Sequence, residues 1–169
     1  MRKYVLVINP GSTSTKVAVF QGAQNLVQKD LLHSAEALDK FDKIADQFDY
    51  RKDIIMAWYI EEGFKMEELK ACVGRGGLLK PMPSGTYNVT DVMVEDLKIG
   101  IQGEHASNLG GLIAKALADL ENVPSYICDP VAVDEFDDVA RVSGMPEIKR
   151  KSLLHALNVR ANAHNVAND

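Results

Sequence analysis

The chain has 169 residues, 46% of them hydrophobic and 25% charged, with 24 acidic against 19 basic side chains and a formal net charge of -5. Such a make-up belongs to a globular domain with one sizeable core, and it excludes collagen-like, disordered and disulfide-stapled classes. An acidic balance without a long Lys/Arg block also argues against a nucleic-acid binder, which needs clustered cations to meet phosphates.

The first apolar run, Tyr4–Ile8, ends at Asn9-Pro10. It is shorter than the roughly 7–15 residues of a secretory core, and no stretch approaches the roughly 18 apolar residues of a membrane span. The expectation is a cytoplasmic protein without a membrane partner. Three segments follow one another, Lys3–Asn9, Lys16–Gln21 and Asn25–His33, separated by the turns Pro10–Ser14 and Gly22–Gln24. Their Val, Ile, Tyr and Phe content predicts an antiparallel meander. Ser34 is placed to cap a short helix near Ala35–Asp39. Ile44, Phe48, Ile55 and Tyr59 then recur at helical spacing towards Gly63.

Ala71–Gly74 reads as a short buried strand, followed by a Pro/Gly-rich loop over Leu79–Tyr87. Thr90 and Asp91 open a helix running to about Ile99. Leu109, Leu112, Ile113, Ala116, Leu117 and Leu120 form a near-complete apolar stripe on another. Val123–Cys128 is a second short strand. Pro146 and Glu147 open a C-terminal helical region in which Leu154, Leu157 and Ala161 share a stripe. The cysteines, Cys72 and Cys128, lack metal-ligand spacing and read as reduced strand residues. The order β-β-β-α-β-α-β-α predicts an α/β fold with a mixed sheet, and such sheets bind ligands beyond the carboxyl ends of their parallel strands. That rule gathers Asn9, Arg75 and Asp129 into one region.

Four segments carry chemistry, each with a plainer alternative. Asn9–Lys16 is a tight turn crowded with the hydroxyls of Ser12, Thr13 and Ser14 and the ammonium of Lys16. It suits phosphate oxygens, or is only a polar hairpin turn. Gly74-Arg75-Gly76-Gly77 leaves a guanidinium unobstructed for a carboxylate or phosphate, or is a surface arginine on a flexible loop. His105 and Asn108 precede a helix and can face an anion, or Ser107 or Asn108 can cap it. Asp129 ends a strand, where a carboxylate can bind Mg2+ or orient a reacting group. His155 lies off the Leu154/Leu157/Ala161 stripe, on a polar face with Asn158 and Asn162.

Taken together, five segments in order resemble the butyrate kinase branch of the acetate kinase family, within the sugar kinase/Hsp70/actin superfamily. They are Val5–Lys16, Val73–Leu79, Gly103–Gly111, Cys128–Asp134 and Arg150–Asn158. The resemblance implies a ribonuclease-H-like mixed sheet and reversible transfer of the ATP γ-phosphoryl group to a short-chain carboxylate such as butyrate. It implies ATP and Mg2+ as cofactors and a homo-oligomer for the full-length family. In that picture Asn9 and Ser12, Thr13 and Ser14 with Lys16 line the phosphoryl path, and Arg75 holds the carboxylate. His105 and His155 donate to transferring oxygens, and Asn9 and Asp129 place the metal. The family joins two related domains. The expectation is therefore an acyl-substrate domain over 1–148, with 149–169 starting a crossing towards a nucleotide domain that this chain does not include. Such a truncated chain would be a kinase by descent and incompetent alone. Alternatives are a non-catalytic binding or assembly remnant, or a sugar kinase or Hsp70-like ATPase domain, which leaves Gly103–Asn108 unexplained.

Overall fold

The computed structural model describes residues 1–153 and 156–168. Strands β1 (Tyr4–Pro10), β2 (Ser14–Gln21) and β3 (Gln24–Leu32) form the expected antiparallel meander. Gly22, at φ +60, turns the chain between β2 and β3. Helix α1 (Ala35–Leu38) is capped by the Ser34 hydroxyl, which accepts from the Ala37 amide. A 3-10 turn at Ile44–Gln47 runs into α2 (Phe48–Glu61), then β4 (Leu69–Arg75). The remaining elements are β5 (Thr86–Asn88), α3 (Asp91–Ile99), α4 (Asn108–Leu120), β6 (Ser125–Cys128) and α5 (Ala156–Asn168).

One six-stranded sheet results, in the order β3-β2-β1-β4-β6-β5. The pairs β1/β4 and β4/β6 are parallel, whereas β5 closes the far edge antiparallel to β6. Helix α4 lies across β1, β4 and β6, with α2 and α3 against it. Leu6, Ile8 and Cys72 of the sheet therefore meet Leu109, Ile113 and Leu117 of α4 and Ile55 and Tyr59 of α2 in one core. Each fully buried Leu or Ile contributes roughly 1.5–3 kcal/mol relative to exposure. On the other face Val5, Val7, Asn9, Ala18, Phe20, Val73 and Arg75 are only half-buried. No helix among the described residues is long and apolar enough to cross a membrane.

Two segments differ from the sequence expectation. Thr86–Asn88, read as the end of a loop, is a strand. Three residues are too few to show alternation, and only pairing with Tyr126–Cys128 makes them one. The helix expected from Pro146 begins instead at Ala156. Pro146 and Glu147 lie in a turn, whose flanks are tied by the Ser143 hydroxyl to the Ile148 carbonyl and by the Arg150 amide to the Arg141 carbonyl. Leu154, one member of the proposed stripe, lies outside the described residues. Leu157 is half-buried and Ala161 is exposed.

The approach of α4 to β4 leaves no room for side chains. A Cβ on Gly74 would run into the backbone of Gly110 and Gly111, and one on Gly110 into the backbone of Arg75. Gly74→Ala should therefore destabilise the fold by about 3 kcal/mol or more, because backbone cannot step aside as a side chain can. Gly144→Ala, where an added Cβ meets nothing within 4 Å, should stay within about 0.5 kcal/mol of wild type. Urea denaturation of the two variants measures the contrast.

Candidate active site

The parallel strands β1, β4 and β6 bring Asn9, Arg75 and Asp129 to the same edge of the sheet. Ile8 is level with Gly74 and Arg75 with Cys128, so Asn9 and Arg75 leave neighbouring strands at one height. Neighbouring strands lie about 5 Å apart. Alternation puts Asn9, its cross-strand partner Lys16 and Arg75 on the half-open face, away from α4. An open groove of about 630 Å3 on that face is lined by residues including Asn9, Lys16, Phe20, Gln28 and Asp30. Neither Lys16 nor Arg75 makes an ion pair or side-chain hydrogen bond among the described residues. Two cationic groups at one sheet edge can receive an anion, with Asp30, the β3 partner of Lys16, as the carboxylate lining the same groove.

The hydroxyl-rich turn is held from below. Arg51, on α2 and only 1% exposed, donates through Nη1 to the carbonyls of Gly11 (2.8 Å) and Ser14 (3.3 Å) and to Thr15 Oγ1 (3.1 Å). Its Nη2 donates to the Ser12 carbonyl at 3.0 Å, and both Nη2 and Nε donate to Gln47 Oε1. The amide of His33 takes the Thr13 carbonyl at 2.9 Å, and Gly11 N–H closes the turn on Ser14 O. All four carbonyls from Gly11 to Ser14 thus have donors. Ser12 and Thr13 are exposed, and Ser14 is half-buried.

Thr15 Oγ1 accepts from Arg51, so its own proton is directed at His33 Nε2, 2.9 Å away. The ring proton is then assigned to Nδ1, which is buried without a partner among the described residues. Burial, with the Arg51 charge beside it, pushes the imidazole pKa down to about 4. Burial likewise lowers that of Arg51, though a guanidinium stays charged throughout. The sequence reading missed Arg51, Gln47 and His33. The available signal was Arg51 itself, a charged residue on the same helical stripe as Phe48, Ile55 and Tyr59.

Beyond Arg75 the glycines do something other than clear space for the guanidinium. A Cβ on Gly76 would strike Pro130, and one on Gly77 would strike Asn108. Asn108 is buried and stitches this exit to the start of α4, its Oδ1 accepting from Leu78 N (2.8 Å) and its Nδ2 donating to Gly103 O (3.0 Å). It does not cap the helix. The Ser107 hydroxyl is not a cap either, because it bonds His105 Nδ1 at 2.7 Å. That same Nδ1 accepts from the Ser107 amide, which assigns the ring proton to Nε2. His105 is exposed, at the mouth of α4, with this Nε2–H unengaged among the described residues.

Asp129 follows the end of β6 in a left-handed conformation, φ +37. Its amide donates to Gly85 O, and its Oδ1 accepts from Gly85 N at 2.6 Å. Its Oδ2 lies 3.7 Å from Nε of Arg160 on α5, which also reaches Ser84 and Glu135. The hydroxyl and amide of Ser84 hold the Glu135 carboxyl below its ordinary value. Arg141 does the same for Asp134 through two hydrogen bonds. Among the described residues no three His, Cys, Asp or Glu side chains gather as a metal site. Cys72 and Cys128 are free thiols, Cys128 half-buried, and burial pushes the Cys72 thiol up to about 12. His155 lies outside the described residues.

Comparison with known proteins sets this geometry in a lineage. Over 165 residues, 98% of its length, the chain is 53% identical to a probable butyrate kinase of Clostridium botulinum (strain Eklund 17B / Type B). It is also 53% identical over 98% of its length to butyrate kinase 1 of Clostridium acetobutylicum. Nearly the whole chain is thus similar to part of each of two proteins named butyrate kinase. It spans about half the length of the curated relatives it matches, 46% of each of these two. No protein-family model matches it. The fold agrees with solved acetate kinases from Porphyromonas gingivalis (TM-score 0.64, 13% identity) and Entamoeba histolytica (0.63, 13%). Each match covers 98% of this chain, with 49% and 47% of the respective structures. This is the actin- and Hsp70-like architecture.

The buried histidine gives the site a pH signature. His33 titrates near 4 when folded, below its ordinary 6.5. Its contribution is therefore complete above pH 6.5 and is lost as pH falls towards 4, by at most about 3 kcal/mol. Thermal unfolding of wild type from pH 7 to 4 should show a steeper loss than that of His33→Gln.

Proposed function

We propose that this chain carries the acyl-substrate and phosphoryl side of a butyrate kinase, which moves the ATP γ-phosphoryl group reversibly onto a short-chain carboxylate. The carrying observation is Arg75, without an ion pair or side-chain hydrogen bond among the described residues, leaving the strand next to Asn9 at the carboxyl edge of the sheet. A planar fork receives a carboxylate through two parallel bonds, leaving one oxygen directed at phosphorus. As that oxygen bonds to phosphorus, the bond to the ADP oxygen breaks and ADP leaves. The transition state spreads negative charge over three equatorial oxygens, so catalysis is mostly positioning and neutralisation.

In this reading Ser12, Thr13, Ser14 and Lys16 receive the phosphoryl oxygens, and His105 donates from Nε2. His155 is the proposed second donor. Asn9 and Asp129 are the proposed protein ligands of Mg2+, which supplies charge neutralisation when bound. One carboxylate and one amide fit a metal whose other ligands are phosphate oxygens and water. Asp129 would exchange its contact with Arg160 for that role. The proposed division is 1–148 for the substrate domain and 149–169 for the approach to a nucleotide domain. A second reading is a domain that binds carboxylate without transfer, since the chain spans about half the length of the relatives it matches.

Calorimetric titration with butyrate tests the site. Wild type should bind, and Arg75→Met should weaken binding by roughly tenfold or more, the effect of losing a charge-assisted pair. ATP with Mg2+ should bind poorly to either. Equal butyrate affinities in the two proteins would remove Arg75 from the reading. A coupled assay showing turnover by wild type would exclude the non-catalytic alternative.

A further inference from the structure

We propose that Arg51 is a positioning residue for phosphoryl binding, holding the Gly11–Ser14 turn in the one orientation that presents its amides to phosphate oxygens. The inference rests on the proposed function of that turn and adds to it a residue that touches no substrate.

The first argument is peptide geometry. In a planar trans peptide the C=O of one residue and the N–H of the next point in opposite directions. Arg51 draws the carbonyls of Gly11 and Ser12 inward. The amides of Ser12 and Thr13 must then face outward. Among the described residues neither donates to any acceptor, and both residues are exposed. Successive outward amides form a concavity for anions. Without the guanidinium these peptides are free to flip, since carbonyls on a surface turn can bond water instead.

The second argument is charge. Arg51 is buried, yet no carboxylate pairs with it among the described residues, and its partners are neutral oxygens. Burying an unpaired cation is costly, and an apolar side chain of similar volume would serve the core better. A whole positive charge directly behind a turn with outward amides and hydroxyls attracts an anion. The third argument is aim. Gln47 Oε1 takes Nε and Nη2 from one side, and Thr15 takes Nη1, so the fork is locked in orientation before any ligand arrives. A lysine ammonium lacks the planar fork that reaches several carbonyls at once.

The test is a titration of the whole chain with inorganic phosphate at constant ionic strength, followed by the amide resonances of Ser12 and Thr13. Phosphate should shift both resonances in wild type. Arg51→Lys should keep a dispersed spectrum and raise the phosphate dissociation constant by about tenfold. Gln47→Glu leaves the loop bonds but pairs the guanidinium charge. It should weaken phosphate by roughly threefold or more while the melting temperature holds or rises. A purely structural Arg51 would lower the melting temperature without changing phosphate affinity in a folded variant. That result in Arg51→Lys overturns the proposal and leaves the turn's own role intact. If Arg51→Lys does not fold, unchanged affinity in Gln47→Glu overturns it. If wild-type resonances do not respond, the phosphoryl reading of the turn fails and this inference fails with it.

Discussion

The backbone of β4 touches the backbone of α4, and the rest of the site depends on that contact. Gly74 and Gly110 meet without an intervening side chain, which brings the start of α4 down onto the exit of β4. Asn108 can then bond the Leu78 amide and Gly77 fits beneath it, so the segment beyond Arg75 is tied to the start of α4. With ordinary side chains in the gap the helix would stand further from the strand, and Asn108 would not reach the Leu78 amide. The fold thus trades apolar contact at two positions for alignment of polar ones.

Charge in the molecule is unevenly placed. The chain as a whole is acidic, yet among the described residues Lys16 and Arg75 make no ion pair on the half-open face, and Arg51 lies behind the turn. Three carboxylates near this edge are engaged elsewhere, Asp129 with Gly85 and Arg160, Glu135 with Ser84 and Asp134 with Arg141, whereas Asp30 lies opposite Lys16 across β2 and β3. A net negative protein therefore gathers Lys16, Arg75 and Arg51 near one edge, with Asp30 the carboxylate set against Lys16.

Much of the architecture was legible because it obeys simple periodicities. Strands β1 and β2 alternate, α4 carries a clean apolar stripe, and Ser34 and Thr90 cap helices as their residue types predict. What escaped depends on partners distant in sequence. Thr86–Asn88 is a strand only because β6 lies beside it. The glycines around Arg75 answer to α4 and Pro130, some 30 to 50 residues further along the chain, not to the guanidinium between them. Arg51 reads in isolation as one more charged helix residue, and its task emerges only when the turn of residues 11–14 folds back over it. Asn9, Arg75 and Asp129 were found together because strand ends in a parallel sheet share an edge whatever the connecting segments do.

Asp129 carries two requirements at once. Its left-handed backbone, φ +37, is one that aspartate, asparagine and glycine tolerate, and other side chains adopt it at a penalty on the order of 1 kcal/mol. Gly85 bonds both its main chain and its carboxylate, so conformation and charge are coupled through one neighbour. Truncation to alanine would disturb both together, whereas asparagine keeps the turn and removes only the charge. The residue's chemical and conformational contributions are separable by that one isosteric exchange, and by few others.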